Sequence, residues 1–200
     1  MRALLSTVAV GLFLAACGPQ TPEPAGPSPS AAAQRSQSPA VVGPILITFN
    51  ETGAGEINGA TPFSLRSVGD YFPNSTVQRA GPSGSGVITV SRPDGLRLEL
   101  HPGADPKQVG KIVGLAGPVV GPLGEEIGSD WQSLGFDAES CGRGQDDMSH
   151  ALICYRAGAP RLGYVVDLPG FEGLEDQTPE AEYLDQSARL SAFMWTAAEV

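Results

Sequence analysis

The chain has 200 residues and a mass of 20.6 kDa, a size that fits one folded domain with or without a tail. It contains 26 glycines and 18 prolines, which predicts many turns and at least one segment without regular structure. The net charge of −10, with Lys107 and Lys111 as the only lysines, argues against a nucleic-acid partner. No apolar run reaches the roughly 18 residues that a membrane-spanning helix needs.

The N-terminus has the pattern of a bacterial secretion signal. Arg2 supplies the positive charge, and the apolar residues 3–16 that follow are too few to span a membrane as a mature helix. The signal ends in Leu14-Ala15-Ala16-Cys17, which resembles the lipobox of bacterial lipoproteins. This resemblance implies cleavage after residue 16 and a Cys17 that carries a diacylglyceryl thioether and an N-acyl chain. We therefore assign residues 1–16 to a lipoprotein signal peptide.

An ordinary cleaved signal with an incidental cysteine is the alternative to lipidation. We favour lipidation because residues 18–44 have the composition of a tether, with seven prolines among Ala, Ser, Gly and Gln and no aromatic residue. Such a segment cannot bury enough apolar surface to offset its ordering entropy. We predict that residues 17–44 form a lipidated, disordered tether, about 80 Å long if fully polyproline-like. An SH3-type ligand is the less favoured interpretation of these prolines.

The residue after the lipidated cysteine bears on the membrane that holds the anchor. Gly18 occupies this position, where an aspartate retains lipoproteins in the inner membrane of enteric bacteria. If the same sorting rule applies, the protein is anchored in the outer membrane and faces the periplasm. The N-terminal lipid is then its contact with the membrane.

Short apolar stretches broken by Gly and Pro begin at Ile45, and we predict a folded domain over residues 45–198. Residues 45–49 predict a strand. Thr61-Pro62 predicts a helix N-cap with proline at the first helical position, and Pro73 ends this helix. Its predicted apolar face consists of Phe63, Leu65, Val68, Tyr71 and Phe72.

Two hairpins are predicted by turn residues between apolar runs. Pro93-Asp94-Gly95 joins residues 87–90 to residues 96–100, and in the second run alternate leucines share one face, which is typical of a solvated antiparallel sheet. The other predicted elements are a strand at 111–115, a helix opened by a capping box at Ser129 and closed by Gly135, a hairpin of residues 150–156 and 162–167, a helix opened by Thr178-Pro179-Glu180, and a strand at 190–196.

Strands outnumber helices in this pattern and come in adjacent pairs. We therefore predict an α+β fold, with a mainly antiparallel sheet and two or three short helices in a single compact domain behind the disordered tether.

The negative charge is concentrated in the C-terminal half. Residues 45–124 carry six acidic and six basic side chains, whereas residues 125–200 carry fifteen acidic and four basic ones. Residues 167–185 contain seven carboxylates and no cation, and their glycine-rich start predicts a long loop over one sheet edge. We interpret these carboxylates as solvated; a basic partner surface or a divalent cation is the alternative.

Two acidic groups, Asp146-Asp147 and the set Glu172, Glu175 and Asp176, have the oxygen ligands that Ca²⁺ prefers. Neither matches an EF-hand loop, so we expect no metal site and no cofactor. We retain Glu172, Glu175 and Asp176 as a candidate ligand or partner surface.

Once Cys17 is acylated, Cys141 and Cys154 remain as an even pair. In an oxidising periplasm such a pair predicts a disulfide, and closing a loop of about 14 residues stabilises by about 3 kcal/mol in the chain-entropy model. Metal-binding or redox thiols are disfavoured because neither cysteine belongs to a C-x-x-C motif.

The order of motifs along the chain resembles the RpoE-regulated lipoprotein family, a domain of unknown function found in proteobacterial envelopes. The resemblance implies an outer-membrane lipoprotein with a compact α+β domain, and no catalytic residues are carried over. The chain departs from the family in its longer proline tether and its more acidic C-terminal segment. The motifs are the lipobox, Thr52-Gly53-Ala54-Gly55-Glu56-Ile57, the Thr-Pro helix, Gly121-Pro122-Leu123-Gly124, Ile127-Gly128, the cysteine pair, Phe171-Glu172-Gly173-Leu174 and a terminal strand ending at Trp195.

Candidate catalytic residues are few, because His101 and His150 are the only histidines. Ser149 and His150 are neighbours, and neighbours on a strand point to opposite faces, so they cannot form a nucleophile–base pair directly. We expect a non-catalytic binding or envelope-integrity protein, related to envelope stress, with an unidentified periplasmic protein as partner. The alternative is a minor periplasmic hydrolase that uses His101 or His150 with nearby carboxylates.

Trp131 and Trp195 are candidates for lining a ligand groove or partner surface. Burial in the core is the commoner fate of a tryptophan in a small domain.

Overall fold

The computed structural model describes residues 45–81, 86–145, 148–171, 173 and 177–198. Cys17, the tether, Asp146-Asp147 and the set Glu172, Glu175 and Asp176 therefore lie outside the described residues. The strands are β1 (Ile47–Asn50), β2 (Gly53–Ala54), β3 (Thr76–Ala80), β4 (Val87–Ser91), β5 (Arg97–Pro102), β6 (Val109–Ala116), β7 (Val119–Val120), β8 (Cys141–Arg143), β9 (Ala151–Arg156), β10 (Ala159–Asp167) and β11 (Arg189–Thr196). The helices are α1 (Leu65–Tyr71), α2 (Trp131–Leu134) and α3 (Ala181–Ser187).

Eight strands form one large sheet in the order β3-β4-β5-β6-β11-β10-β9-β8, and every pair in it is antiparallel. The last strand, β11, lies in the middle of this sheet between β6 and β10. A small second sheet has the order β2-β1-β7, in which β1 pairs with β7 in parallel. The predicted α+β class with a mainly antiparallel sheet and short helices is confirmed. None of the described helices is long and apolar enough to cross a membrane.

The main core lies on one face of the large sheet, beneath the small sheet and the helices. A smaller cluster of buried residues lies on its other face and consists of Ala151, Val165, Ala192 and Met194. The leucines at positions 96, 98 and 100 are fully buried while Arg97 between them is exposed, as the predicted alternation requires. Phe49 of β1 stacks on Phe193 of β11, with ring centroids 5.7 Å apart. Gly114 of β6 permits this contact, because a Cβ there would lie 2.8 Å from the Phe49 ring.

The first helix starts later than the sequence predicts. The Thr61 hydroxyl accepts a hydrogen bond from the Asn58 backbone N–H at 3.1 Å, so it stabilises the preceding turn instead of capping the helix. Ser64 is the N-cap, and its Oγ accepts from the Ser67 N–H at 3.1 Å. Pro62 forms an isolated bridge to the β5–β6 connection. The predicted end of the helix before Pro73 is confirmed.

The N-cap of the second helix lies one residue after the predicted one. Asp130 is its N-cap and accepts from the Ser133 N–H at 2.8 Å, while Ser129 Oγ accepts from the Glu126 N–H at 3.2 Å. Gly135 closes the helix in the left-handed conformation, at φ 63°, as predicted. In α3, Glu180 occupies the N-cap position without a side-chain capping bond.

The predicted disulfide between Cys141 and Cys154 is confirmed. The two cysteines are direct partners in the β8–β9 ladder, and Cys154 is fully buried in the core. The bridge therefore fastens the three-residue strand β8 to the edge of the sheet.

Removing this bridge is expected to lower the melting temperature by several degrees, because the chain-entropy model assigns it about 3 kcal/mol. The matched comparison is between the wild type and the double variant Cys141→Ser/Cys154→Ser, followed by circular dichroism during heating. Both cysteines should also resist alkylation in protein isolated without reductant, until the protein is unfolded and reduced. Free thiols before reduction would contradict the bridge.

Candidate functional site

A cleft of about 700 Å³ opens where the central strand β11 ends. Five separate segments form it: the turn after β1, the chain between β2 and α1, the β5–β6 connection, the start of β10 and the end of β11 with the residues after it. Its lining consists of Thr52, Asn58, Gly59, Gly103, Ala104, Asp105, Gln108, Arg161, Trp195, Ala197 and Ala198.

Trp195 lines this cleft from below. Its side chain faces the core and is only 1% exposed, and the indole Nε1 donates to the Glu51 carbonyl oxygen at 3.0 Å. A ring this buried offers the cleft almost no open surface for stacking. Trp131 does not line the cleft: it is 7% exposed, belongs to α2 and packs near Phe136 with ring centroids 6.4 Å apart.

Small residues bring the walls of the cleft together. A Cβ on Gly110 would lie 2.2 Å from the Gly103 Cα, so only glycine permits the close approach of the two strands at this end of the β5–β6 pair. A Cβ on Gly59 would lie 3.2 Å from the Ala197 Cβ. The width of the cleft therefore depends on Gly59, Gly103 and Gly110, none of which was a candidate from sequence.

The rim of the cleft carries both charges and neutral amides. The Arg161 Nε lies 3.7 Å from Glu51 Oε1, and the Arg161 backbone N–H donates to Glu51 Oε2 at 3.1 Å. The Asp105 carboxylate accepts from the Lys107 backbone N–H at 2.9 Å. With the side chains of Asn58 and Gln108, the cleft offers hydrogen-bond donors and acceptors above an apolar base.

A second cleft of about 400 Å³ adjoins the first and shares four of its lining residues. His101, Lys111 and Thr196 line its other side. Burial lowers the pKa of the His101 imidazole, the Lys111 ammonium lowers it further, and Glu99, 3.7 Å away, opposes both. The imidazole is therefore mainly neutral near pH 7.

The other histidine lies elsewhere in the fold. His150 precedes β9, its side chain is 64% exposed, and its Nε2 lies 3.7 Å from Asp167 Oδ1. In the part of the chain that the structure describes, neither histidine hydrogen-bonds a hydroxyl group, and no three metal-ligating side chains cluster.

A cation from another strand approaches the acidic C-terminal segment. The Arg143 guanidinium carbon lies 5.2 Å from the centre of the Phe171 ring, and Phe171 packs against Tyr183 of α3 at 5.3 Å. Burial raises the pKa of the Tyr183 phenol, as does the Asp167 carboxylate, while Arg143 opposes them. Residues 167–185 contain no cation of their own, but the fold places the Arg143 guanidinium next to Phe171 in this segment.

A partly buried ionic cluster lies beside the core and was not predicted from the sequence. Glu125 Oε1 accepts from Arg156 Nη2 at 2.7 Å and from the Tyr164 hydroxyl at 3.1 Å, and Glu125 Oε2 accepts from the Leu123 N–H at 2.9 Å. Arg156 also donates to the Leu134 carbonyl oxygen at 2.8 Å. Its guanidinium lies over two aromatic rings, 4.5 Å from the centre of one and 5.2 Å from that of the other.

The protonation states in this cluster follow from its hydrogen bonds. Burial alone would raise the pKa of the Glu125 carboxyl, but bonds from backbone N–H groups, Arg156 and Tyr164 outweigh it, and the pKa is lowered. Burial raises the pKa of the Tyr164 phenol to about 12. The cluster is thus a carboxylate, a guanidinium and a neutral phenol at neutral pH. Since its charges are paired with each other, removing either partner is expected to destabilise the fold.

The comparisons with known proteins bear on the fold. No protein-family model matches the sequence, and no curated protein matches it. A crystal structure of the uncharacterized protein yfeY from Escherichia coli is similar, with a TM-score of 0.57 and 19% sequence identity. The alignment covers 76% of this chain and 99% of that one. The chain therefore shares the fold of yfeY over nearly the whole length of that protein.

Proposed function

We propose that this protein is a lipoprotein of the outer membrane whose α+β domain binds a periplasmic protein partner through the cleft at the end of β11, without catalysis. The cleft is the observation that carries the proposal. It combines an apolar base at Trp195 with a rim of Arg161, Asp105 and two amide side chains, and an apolar centre inside a polar rim is typical of the surfaces at which proteins bind each other.

Two further observations support the envelope location. The lipobox at Leu14-Ala15-Ala16-Cys17 resembles a lipidation site, and the Cys141–Cys154 disulfide suits an oxidising compartment. We also propose membership in the RpoE-regulated lipoprotein family and a role in envelope integrity under stress. The motif order along the chain supports this assignment, and the likeness to yfeY supports it at the level of the fold.

The hydrolase alternative would place His101 in the second cleft as a base. The His101 imidazole is mainly neutral there, as a base must be. Among the described residues, however, no hydroxyl group hydrogen-bonds it and could act as the nucleophile. Binding is therefore the function that the geometry supports best.

A photo-crosslinking amino acid placed at Gln108, on the rim of the cleft, is expected to capture the partner in living cells. The matched control is the same replacement at Gln132, an exposed residue of α2 that does not line the cleft. Irradiation should give an adduct of discrete mass at Gln108 only, visible on a denaturing gel and identifiable by mass spectrometry.

A second variant tests whether the cleft itself is the contact. Ala104→Trp at the exposed rim should occlude the cleft and weaken the Gln108 adduct without lowering the melting temperature. Equal adducts at Gln108 and Gln132, or an adduct that Ala104→Trp leaves unchanged, would contradict the proposal.

A further inference from the structure

Strand β3 forms one edge of the large sheet and is unusually exposed. It pairs with β4 over five residues without a shift in register, and among the described residues no strand pairs with its other side. Four of its five residues are exposed and Val77 is half-buried. Its outer backbone groups are therefore available to hydrogen-bond another strand.

This edge lacks the usual devices that prevent such pairing. It contains no proline and no bulge. Its one charged residue, Arg79, is directed back onto its own domain: the guanidinium carbon lies 5.1 Å from the centre of the Phe63 ring, and Nη1 donates to the Gly86 carbonyl oxygen at 3.3 Å.

The opposite edge of the sheet is different in both length and charge. Strand β8 has three residues and is fastened by the disulfide to β9. The strands at that end come from residues 125–200, which carry fifteen acidic and four basic side chains. Strands β3, β4, β5 and β6 come from residues 45–124, where six acidic and six basic side chains balance. Of the two edges, β3 is therefore the longer one and belongs to the part of the sheet whose charges balance.

We propose that β3 is a self-association edge, at which two copies of this chain pair antiparallel to form one continuous sheet. The strand is complementary to itself. A twofold axis at Gln78 places Gln78 opposite its own copy, Thr76 opposite Ala80 and Val77 opposite Arg79, so no like charges face each other.

The charge distribution favours a second copy as the occupant of this edge. Pairing at β3 places the two acidic ends of the combined sheet on the order of 70 Å apart, at about 4.8 Å per strand. Exposed charges are screened beyond about 8 Å at physiological salt, so the acidic ends do not oppose the pairing. This inference is independent of the cleft and of its partner.

Cysteine cross-linking of the full-length chain in the cell envelope tests the proposal. Thr76, Gln78 and Ala80 project from the same face of β3, away from the core, because their neighbours Val77 and Arg79 pair with the buried Val90 and Ile88. Gln78→Cys, which lies at the proposed twofold axis, should give a covalent dimer of twice the chain mass with a short thiol cross-linker. Ser91→Cys is the matched control, since it is exposed on β4, one strand further in.

A pair of charge variants in the Gln78→Cys background makes the test specific. Thr76→Lys with Ala80→Lys places lysine opposite lysine at both ends of the pairing and should reduce the dimer several-fold. Thr76→Lys with Ala80→Glu places opposite charges there and should retain it. All three positions are exposed, so the fold is expected to persist, which an unchanged melting temperature would verify. The proposal is overturned if Gln78→Cys yields no dimer, if Ser91→Cys yields as much, if the product has another mass, or if both charge pairs act alike.

Discussion

Replacement of Glu125 by leucine is expected to lower the free energy of unfolding by about 3 kcal/mol at neutral pH. The variant leaves the Arg156 guanidinium without its carboxylate while Phe136, Tyr164 and the Leu134 carbonyl still surround it. The expected loss lies at the lower end of the range for buried pairs, because the Arg156 side chain is 25% exposed and water screens part of its charge. Urea denaturation of the wild type and the variant measures the loss.

Two further variants separate the ion pair from other effects of the substitution. Glu126→Leu changes the neighbouring exposed carboxylate and should alter stability by less than about 0.5 kcal/mol. The double variant Glu125→Leu/Arg156→Leu removes both charges and should be more stable than Glu125→Leu alone, because no unpaired charge remains. If the double variant is the less stable of the two, Arg156 stabilises the fold without needing Glu125.

The same cluster predicts the direction of the pH dependence. The pKa of Glu125 is lower in the folded protein than in the unfolded chain, so the unfolded chain binds the proton more readily. The stability that Glu125 contributes is therefore present above its unfolded pKa and is lost as the pH falls through the folded one. The difference in melting temperature between the wild type and Glu125→Gln should shrink as the pH is lowered from 7 to about 3.

The cluster also shows why part of the structure could not be predicted from the sequence. Glu125 and Arg156 are 31 residues apart, and a single acidic or basic residue carries no pattern that identifies its partner. Only the assembled sheet, with Tyr164 on the strand beside Arg156, brings the three side chains together. Local patterns were sufficient for the hairpins, because an apolar alternation and its turn lie within about twenty residues.

Strand β3 escaped prediction for a different reason. An exposed edge strand needs no continuous apolar face, and residues 76–80 show none. The shifted start of α1 has a third cause: Thr61 fits the capping pattern, but its hydroxyl accepts a bond from Asn58, which the sequence does not reveal. The cleft combines five separate segments, and of its lining only Trp195 was a candidate from sequence.

Replacing Cys17 by serine is expected to abolish lipidation completely, which is the largest effect predicted for this chain. The lipobox resemblance implies that the thiol of Cys17 is the acylated group, and a serine hydroxyl in its place should leave an unprocessed precursor. Labelling with radioactive palmitate measures acylation, and the mobility of the protein on a gel measures cleavage. The anchor contributes about 0.8 kcal/mol for each buried CH₂ of its acyl chains, so its loss should also weaken membrane association.

Gly18→Asp is the matched variant for this experiment, because it changes the next residue and leaves the thiol in place. It should still incorporate palmitate, and under the enteric sorting rule it should move from the outer to the inner membrane on a density gradient. Normal labelling and maturation of Cys17→Ser would show that Cys17 is not the lipidated residue. Retention of the wild-type chain in the inner membrane would be compatible with lipidation of Cys17 but would contradict the outer-membrane location. The two parts of the prediction are therefore tested separately.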